Sequence, residues 1–261
     1  MTSVKTAAGQ ELLFVSEAST FDGAAPIRGG IPIVFPKFGG GWEGASNPRG
    51  LPSHGFARRC KWTLAIADDK VQFKLDSSDL SEEYAKEFPS AFSARYEVAL
   101  SASGFRSGLI VTNTGEASFE FQALLHTYYN IEAVGGISVE GLDGVKYTDK
   151  LASGADLTQG EGPVVIVGET DRIYKNAPGA VNLVGLAGNI GTATVGIECS
   201  EDVVDCVVWN PWDVKAGKMG DFGDEEYHKM VCIEPGYVAK QLQLLPGKTF
   251  SLFQDVKLAK L

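Results

Sequence analysis

Two side chains in this chain of 261 residues have the type and the setting to move protons. Glu234 follows the apolar, β-prone run Val231-Cys232-Ile233 and precedes Pro235-Gly236, so it is expected at the end of a strand, held against a turn. Proline confines the residue before it to extended geometry, which aims the Glu234 side chain and suits it to act as a base. A carboxylate capping a surface turn fits the same residues. His126 follows Leu124-Leu125 and precedes Thr127 and two tyrosines, a setting for a buried ring. An imidazole, with an ordinary pKa of ~6.5, donates or accepts a proton near neutrality. A core histidine with its hydrogen bonds met fits as well.

Cations gather in two other stretches. Pro26 to Pro36 holds three prolines and two glycines in eleven residues, which excludes a helix and predicts a rigid wall carrying the single charge Arg28. His54, Arg58 and Arg59 form the densest positive patch of an acidic chain. The planar guanidinium fork suits phosphate, although both stretches also read as solvated surface charge. Asp171 and Arg172 have two readings, pairing with each other or hydrogen bonding sugar hydroxyls. Trp209-Asn210-Pro211-Trp212 reads as a rigid aromatic turn that could stack on a sugar or belong to the core. The spacing of His54, His126 and His228 gives no metal-ligand pattern, so no metal is expected.

The elements that must position these groups read mostly as short strands. Strand patterns cover Glu11 to Val15, Lys61 to Leu75, Val139 to Lys150, Val164 to Val167, Val181 to Leu186, Thr192 to Cys199, Asp205 to Trp209, Gln241 to Leu245 and Thr249 to Val256. Phe92 to Leu100, Gly108 to Asn113 and Phe119 to Leu125 read as a meander. Ser78 to Phe88 is the best helix, with Ser78 or Ser81 as its cap and acidic residues in its first turn. Gly217 to His228 reads as a flexible acidic loop. With 31 Gly and 11 Pro, the expected fold is all-β: a large antiparallel β-sandwich with one or two short helices. No repeat or linker divides residues 1–261, so one domain is expected.

A net charge of −10 argues against binding nucleic-acid backbones or acidic membranes. Four cysteines without a Cys-x-x-Cys pair, and no signal peptide, point to reduced thiols in an intracellular, cytoplasmic protein. No apolar run approaches the ~18 residues of a membrane helix.

Six blocks in order carry a resemblance. They are Pro26-Ile27-Arg28-Gly29-Gly30-Ile31-Pro32, His54-Gly55-Phe56-Ala57-Arg58, Leu125-His126-Thr127-Tyr128, Thr170-Asp171-Arg172-Ile173-Tyr174, Trp209-Asn210-Pro211 and Cys232-Ile233-Glu234-Pro235-Gly236. Together they resemble the glucose-6-phosphate 1-epimerases, hexose-6-phosphate mutarotases of the aldose 1-epimerase superfamily. The resemblance implies a galactose mutarotase-like sandwich whose concave face binds the sugar, and an enzyme that interconverts anomers of glucose 6-phosphate without a cofactor. It implies His126 as acid toward the ring oxygen, Glu234 as base on the anomeric hydroxyl, Asp171 on the sugar, and Arg28 and Arg58 on the phosphate, with His54 also at the substrate.

Two departures from the family pattern stand out. The segment Lys5 to Leu13 resembles the second or third strand-forming segment of relatives, so an N-terminal strand or two is expected to be absent. Lys37 and Arg59 stand where relatives often carry neutral residues, adding positive potential near a phosphate or facing solvent. A non-catalytic carbohydrate-binding sandwich and an aldose 1-epimerase for neutral sugars are the alternatives. The expected partner is a small-molecule sugar phosphate, and the expected state a monomer or weak dimer. The terminal Ala259-Lys260-Leu261 is one small change from a peroxisomal Ser-Lys-Leu address.

Overall fold

A computed structural model describes residues 1–67, 70–202 and 204–259. The Ala259-Lys260-Leu261 signature therefore lies mostly outside the described residues. In chain order the strands are β1 (Ile33–Val34), β2 (Thr63–Ala67), β3 (Lys70–Asp76), β4 (Phe92–Ser101), β5 (Gly104–Asn113), β6 (Phe119–Leu125), β7 (Tyr128–Asn130) and β8 (Ser138–Glu140). They continue as β9 (Lys146–Asp149), β10 (Ala155–Thr158), β11 (Thr170–Tyr174), β12 (Ala180–Leu186), β13 (Gly191–Cys199), β14 (Asp205–Asn210), β15 (Met230–Leu244) and β16 (Thr249–Leu258).

These strands form two antiparallel eight-stranded sheets. One runs β1-β6-β15-β14-β11-β9-β10, with β7 also paired to β15; the other runs β2-β3-β4-β5-β16-β13-β12-β8. The two sheets share a core of Phe, Leu, Ile and Val side chains, among them Phe92, Leu109, Phe121, Val208, Ile233 and Phe250. The all-β sandwich expected from the sequence is the fold observed. Two short helices accompany it, α1 (Glu82–Glu87) and α2 (Trp212–Ala216). Ser81 caps α1, its Oγ accepting from Tyr84 N at 3.3 Å. Among the described residues no helix is long and apolar enough to cross a membrane.

Five expectations are corrected. Pro235-Gly236 is not a turn: β15 runs straight through it. Pairing of β15 with β7 ends at Cys232 and pairing with β6 begins at Gly236, so proline's missing N–H falls where the neighbouring chain breaks. The expected meander is a β4–β5 hairpin only, because β5 pairs with β16 and β6 joins the other sheet. Residues 11–15 make isolated bridges at Glu11, Leu13 and Val15 instead of a continuous strand, and of residues 164–167 only Val164 bridges. Helix α1 starts later than expected, after a separate 3-10 turn at Ser77–Asp79.

The proline-glycine wall is pinned from both sides. Phe35 packs against Phe56, Phe88, Phe92 and Phe121 at centroid distances of 5.3–5.8 Å. Each such buried aromatic contributes on the order of 1.5–3 kcal/mol. Gly29 (φ 132°) runs so close to Phe14 and Val15 that a Cβ there would overlap their backbone, which lets Arg28 reach across the first sheet.

Candidate active site

Strand register assembles the site. Alternation along β15 turns Val231 and Ile233 into the core between the sheets and Cys232 and Glu234 to the opposite face. On that face Asp171 pairs with Trp209, Trp209 with Cys232, and Cys232 with Tyr128, a row across four strands. One step further along β15, Glu234 pairs with Val207. Leu124 of β6 is opposite Gly236, so His126, two residues beyond it, arrives opposite Glu234. The gap between β6 and β7 that accommodates Pro235 is therefore the place where imidazole and carboxylate meet.

His126 Nδ1 lies 3.4 Å from Glu234 Oε1, with the two side chains only 7% and 2% exposed. Neither His126 Nδ1 nor Glu234 Oε2 has a hydrogen-bond partner. The His126 ring stacks on Tyr128 (4.7 Å, 9° between planes) and meets Trp209 edge-on at 5.9 Å. Burial drives both groups toward their neutral forms. It holds the His126 imidazole well below its ordinary value, with His54, Arg58 and Arg28 adding to the effect. It pushes the Glu234 carboxyl well above its own, with Asp171 adding and Lys150 and Arg58 opposing.

The pair opens into a cavity of ≈ 290 Å³ lined by Arg28, Phe38, His54, Lys150, Asp171, Trp209, Lys215 and Met219 among others. That is near the lower bound for small-molecule pockets, roughly 300 Å³. A larger depression of ≈ 950 Å³ borders Glu11, Glu17 and Glu226. Two of its acids are already engaged: Glu226 accepts from Ser16 Oγ and Glu17 N, and Glu11 from Val4 N.

Five of the six residues singled out in the sequence line the smaller cavity, namely Arg28, His54, His126, Asp171 and Glu234. Arg58 does not line it. It borders a neighbouring groove with Ile27, Gly29 and Arg59, its Nη2 donating to Ser53 O at 3.0 Å and its Nε buried without a partner. Burial, with Arg28 and Arg59 adding, pulls Arg58 down to about 10. Asp171 pairs with Lys150 (3.2 Å) and lies 3.9 Å from Lys215, whereas Arg172 turns away to Asp149 (3.6 Å), so the neighbours do not pair with each other.

The His54 ring packs edge-on to Phe38 (5.2 Å) and His126 (5.5 Å). Gly39 N donates to His54 Nδ1 at 3.4 Å, which leaves the proton of the neutral ring on Nε2. Burial and the cations Arg58, Lys150 and Arg28 lower His54 to about 3, so it serves as a neutral donor. Lys37 is corrected: it is buried, with Nζ donating to Pro48 O at 3.1 Å, and is not a cavity cation. Asn210 organises the aromatic turn, donating to Tyr227 O and Met230 O at 2.9 Å each and accepting from Trp212 N.

Two cavity groups, Lys150 and Lys215, and Asp221, which holds the cavity residue Arg28, escaped the sequence reading. Lys150 and Lys215 are brought in by pairing of β9 with β11 and by the short helix α2. Asp221 grips Arg28, accepting from Nε at 3.2 Å and Nη2 at 3.1 Å, while Arg28 Nη1 donates to Tyr128 OH at 3.2 Å. No local signal marks any of the three. Donor atoms of His126, Cys232 and Glu234 also lie within 4.8 Å of one another. Burial and the nearby Glu234 push the Cys232 thiol well up.

Two eight-stranded antiparallel sheets thus carry a buried imidazole–carboxylate pair that faces a small polar cavity. Residues 1–257 match the aldose 1-epimerase family, and the chain belongs to that family. A Cenchrus ciliaris protein provisionally named glucose-6-phosphate 1-epimerase is 35% identical over 95% of this chain and 75% of its own length. An Escherichia coli protein of the same provisional name is 30% identical over 99% and 83%. The crystal structure of a Salmonella typhimurium protein provisionally described as a mutarotase superposes with a TM-score of 0.81 at 26% identity, over 99% of this chain and 84% of that one.

Proposed function

We propose that this epimerase acts on glucose 6-phosphate and related hexose 6-phosphates, with His126 and Glu234 exchanging the protons of ring opening. The observation that carries the reading is the 3.4 Å pair of otherwise unpartnered groups facing the cavity. Opening the hemiacetal moves one proton off the anomeric hydroxyl and one onto the ring oxygen. C1 then rotates, and closure on the other face reverses both transfers. The pair needs one mobile proton throughout. Burial favours keeping it on Glu234, while Lys150 favours the ionised carboxylate. With the proton on His126, Glu234 accepts from the anomeric hydroxyl while His126 donates to the ring oxygen. Asp171, steadied by Lys150, accepts from sugar hydroxyls, and Trp209 offers an apolar face.

The phosphate assignment rests on charge. Arg28 lines the cavity and Arg58 lies close enough to His126, His54 and Glu234 to act on all three. A neutral hexose has no use for two guanidiniums, whereas each charge-assisted bond to a phosphate is worth ~1.5–3 kcal/mol. A neutral-sugar epimerase is the second reading, favoured by one fact: Arg28 already has a carboxylate partner in Asp221. Anomer exchange followed by NMR on glucose 6-phosphate and on glucose separates the two. Acceleration specific to the phosphate ester is expected. Equal acceleration of both sugars sinks the phosphate reading, and acceleration of neither leaves a sugar-binding module.

A further inference from the structure

The second reading's favouring fact has a use under the first. Asp221 meets Arg28 through both carboxylate oxygens, the two-pronged geometry that guanidinium offers to phosphate. A phosphate dianion offers Arg28 the same two-pronged acceptor with a greater charge.

The carboxylate stands where it can leave. The Asp221 side chain is 34% exposed and that of Arg28 23%. Asp221 follows Gly220, around which there is open space. Among the described residues neither Gly220 nor Asp221 makes a backbone hydrogen bond to the rest of the chain. The flanking residues are fixed by contrast: Phe222 is buried against Phe14 at 5.8 Å, and Met219 N donates to Ala216 O at 3.0 Å. Asp221 is thus free to swing outward while the loop stays anchored. Arg28 keeps its aim without it, because its backbone N donates to Ser19 Oγ at 2.7 Å and Nη1 reaches Tyr128 OH.

Resting on the phosphate reading above, we propose that Asp221 is a built-in anion occupying the phosphate seat. It holds Arg28 in the empty site, gives way to the substrate's phosphate, and so sets how strongly phosphorylated sugars are preferred. A neutral sugar would leave the ion pair in place.

The test is a double-mutant cycle on the full chain, measuring Kd for inorganic phosphate by calorimetry and KM for glucose 6-phosphate in wild type, Asp221→Asn, Arg28→Ala and the double variant. Asp221→Asn nearly preserves shape at a partly exposed position, and Asp221→Ala, measured beside it, removes the residual amide contact. Removing the competitor is expected to tighten phosphate roughly fivefold, the scale of a partly exposed ion pair, and to lower KM. The gain should vanish in the Arg28→Ala background. Unchanged or weaker phosphate binding in both Asp221 variants, with Arg28→Ala still weakening it, overturns the proposal and leaves the phosphate reading standing. If Arg28→Ala itself changes nothing, the phosphate reading fails, and the proposal with it.

Discussion

The two ends of the cavity solve opposite problems. At one, His126 and Glu234 are buried, 3.4 Å apart, and hold polar atoms with no hydrogen-bond partner. At the other, Arg28 is half-buried and fully engaged, by Asp221 and Tyr128. A neutral acid–base pair can be left unsatisfied because burial suppresses its charges, which limits the penalty to unmade hydrogen bonds. A guanidinium cannot shed its charge, so the fold must supply an anion. Burial alone would lower Arg28, but Tyr128 and Asp221 outweigh it and hold it above its ordinary value. Under the proposed function, reactivity sits at the end where the protonation state can adjust, and specificity at the end where it cannot.

The contrast breaks most visibly at the reacting end. His126→Asn removes the acid while keeping a polar side chain, and anomer exchange should fall by ~10²–10⁴ with glucose 6-phosphate still bound. NMR exchange rates with a calorimetric Kd check both parts. At the charged end, Arg28→Ala should raise KM for glucose 6-phosphate about 10- to 100-fold, one or two charge-assisted bonds' worth, and barely alter turnover of glucose. Equal losses on both sugars would erase the distinction between the ends.

A third prediction concerns stability. The folded protein holds the Glu234 carboxyl well above its ordinary 4.5, so the fold binds that proton more tightly than the unfolded chain does. The resulting destabilisation is absent below the unfolded value and grows as pH rises toward the folded one. Glu234→Gln removes the titration, so at neutral pH it should be more stable than wild type, with the gain fading below pH 4.5. Chemical denaturation at several pH values reads this directly. The smallest effect is expected from Lys150→Met. Lys150 draws Glu234 toward ionisation, so its loss should move the acid limb of the pH–rate profile upward while the alkaline limb stays in place.

Much of this was legible in the sequence. Phe119–Leu125 is bounded to the residue by alternation and turn signals, and five of the six residues singled out in the sequence line one cavity. The Pro235-Gly236 misreading is instructive. Proline normally ends a ladder, but here its missing N–H falls in a break between two partners, a fact that belongs to the neighbouring strands and not to residues 230–237. Lys150, Lys215 and Asp221 carry no local mark because what matters about each is its partner, 21, 44 and 193 positions away for the pairs with Asp171 and Arg28. Arg58 shows the converse: the resemblance sets it on the phosphate, and its side chain borders the adjoining groove.

The central claim is that the buried pair moves the protons. The most direct measurement is the α-to-β exchange rate of glucose 6-phosphate by NMR for wild type and Glu234→Gln at equal concentration, with binding of glucose 6-phosphate measured alongside. The account predicts exchange at the uncatalysed rate in the variant, with binding retained. Near-normal exchange in a folded Glu234→Gln protein would contradict it.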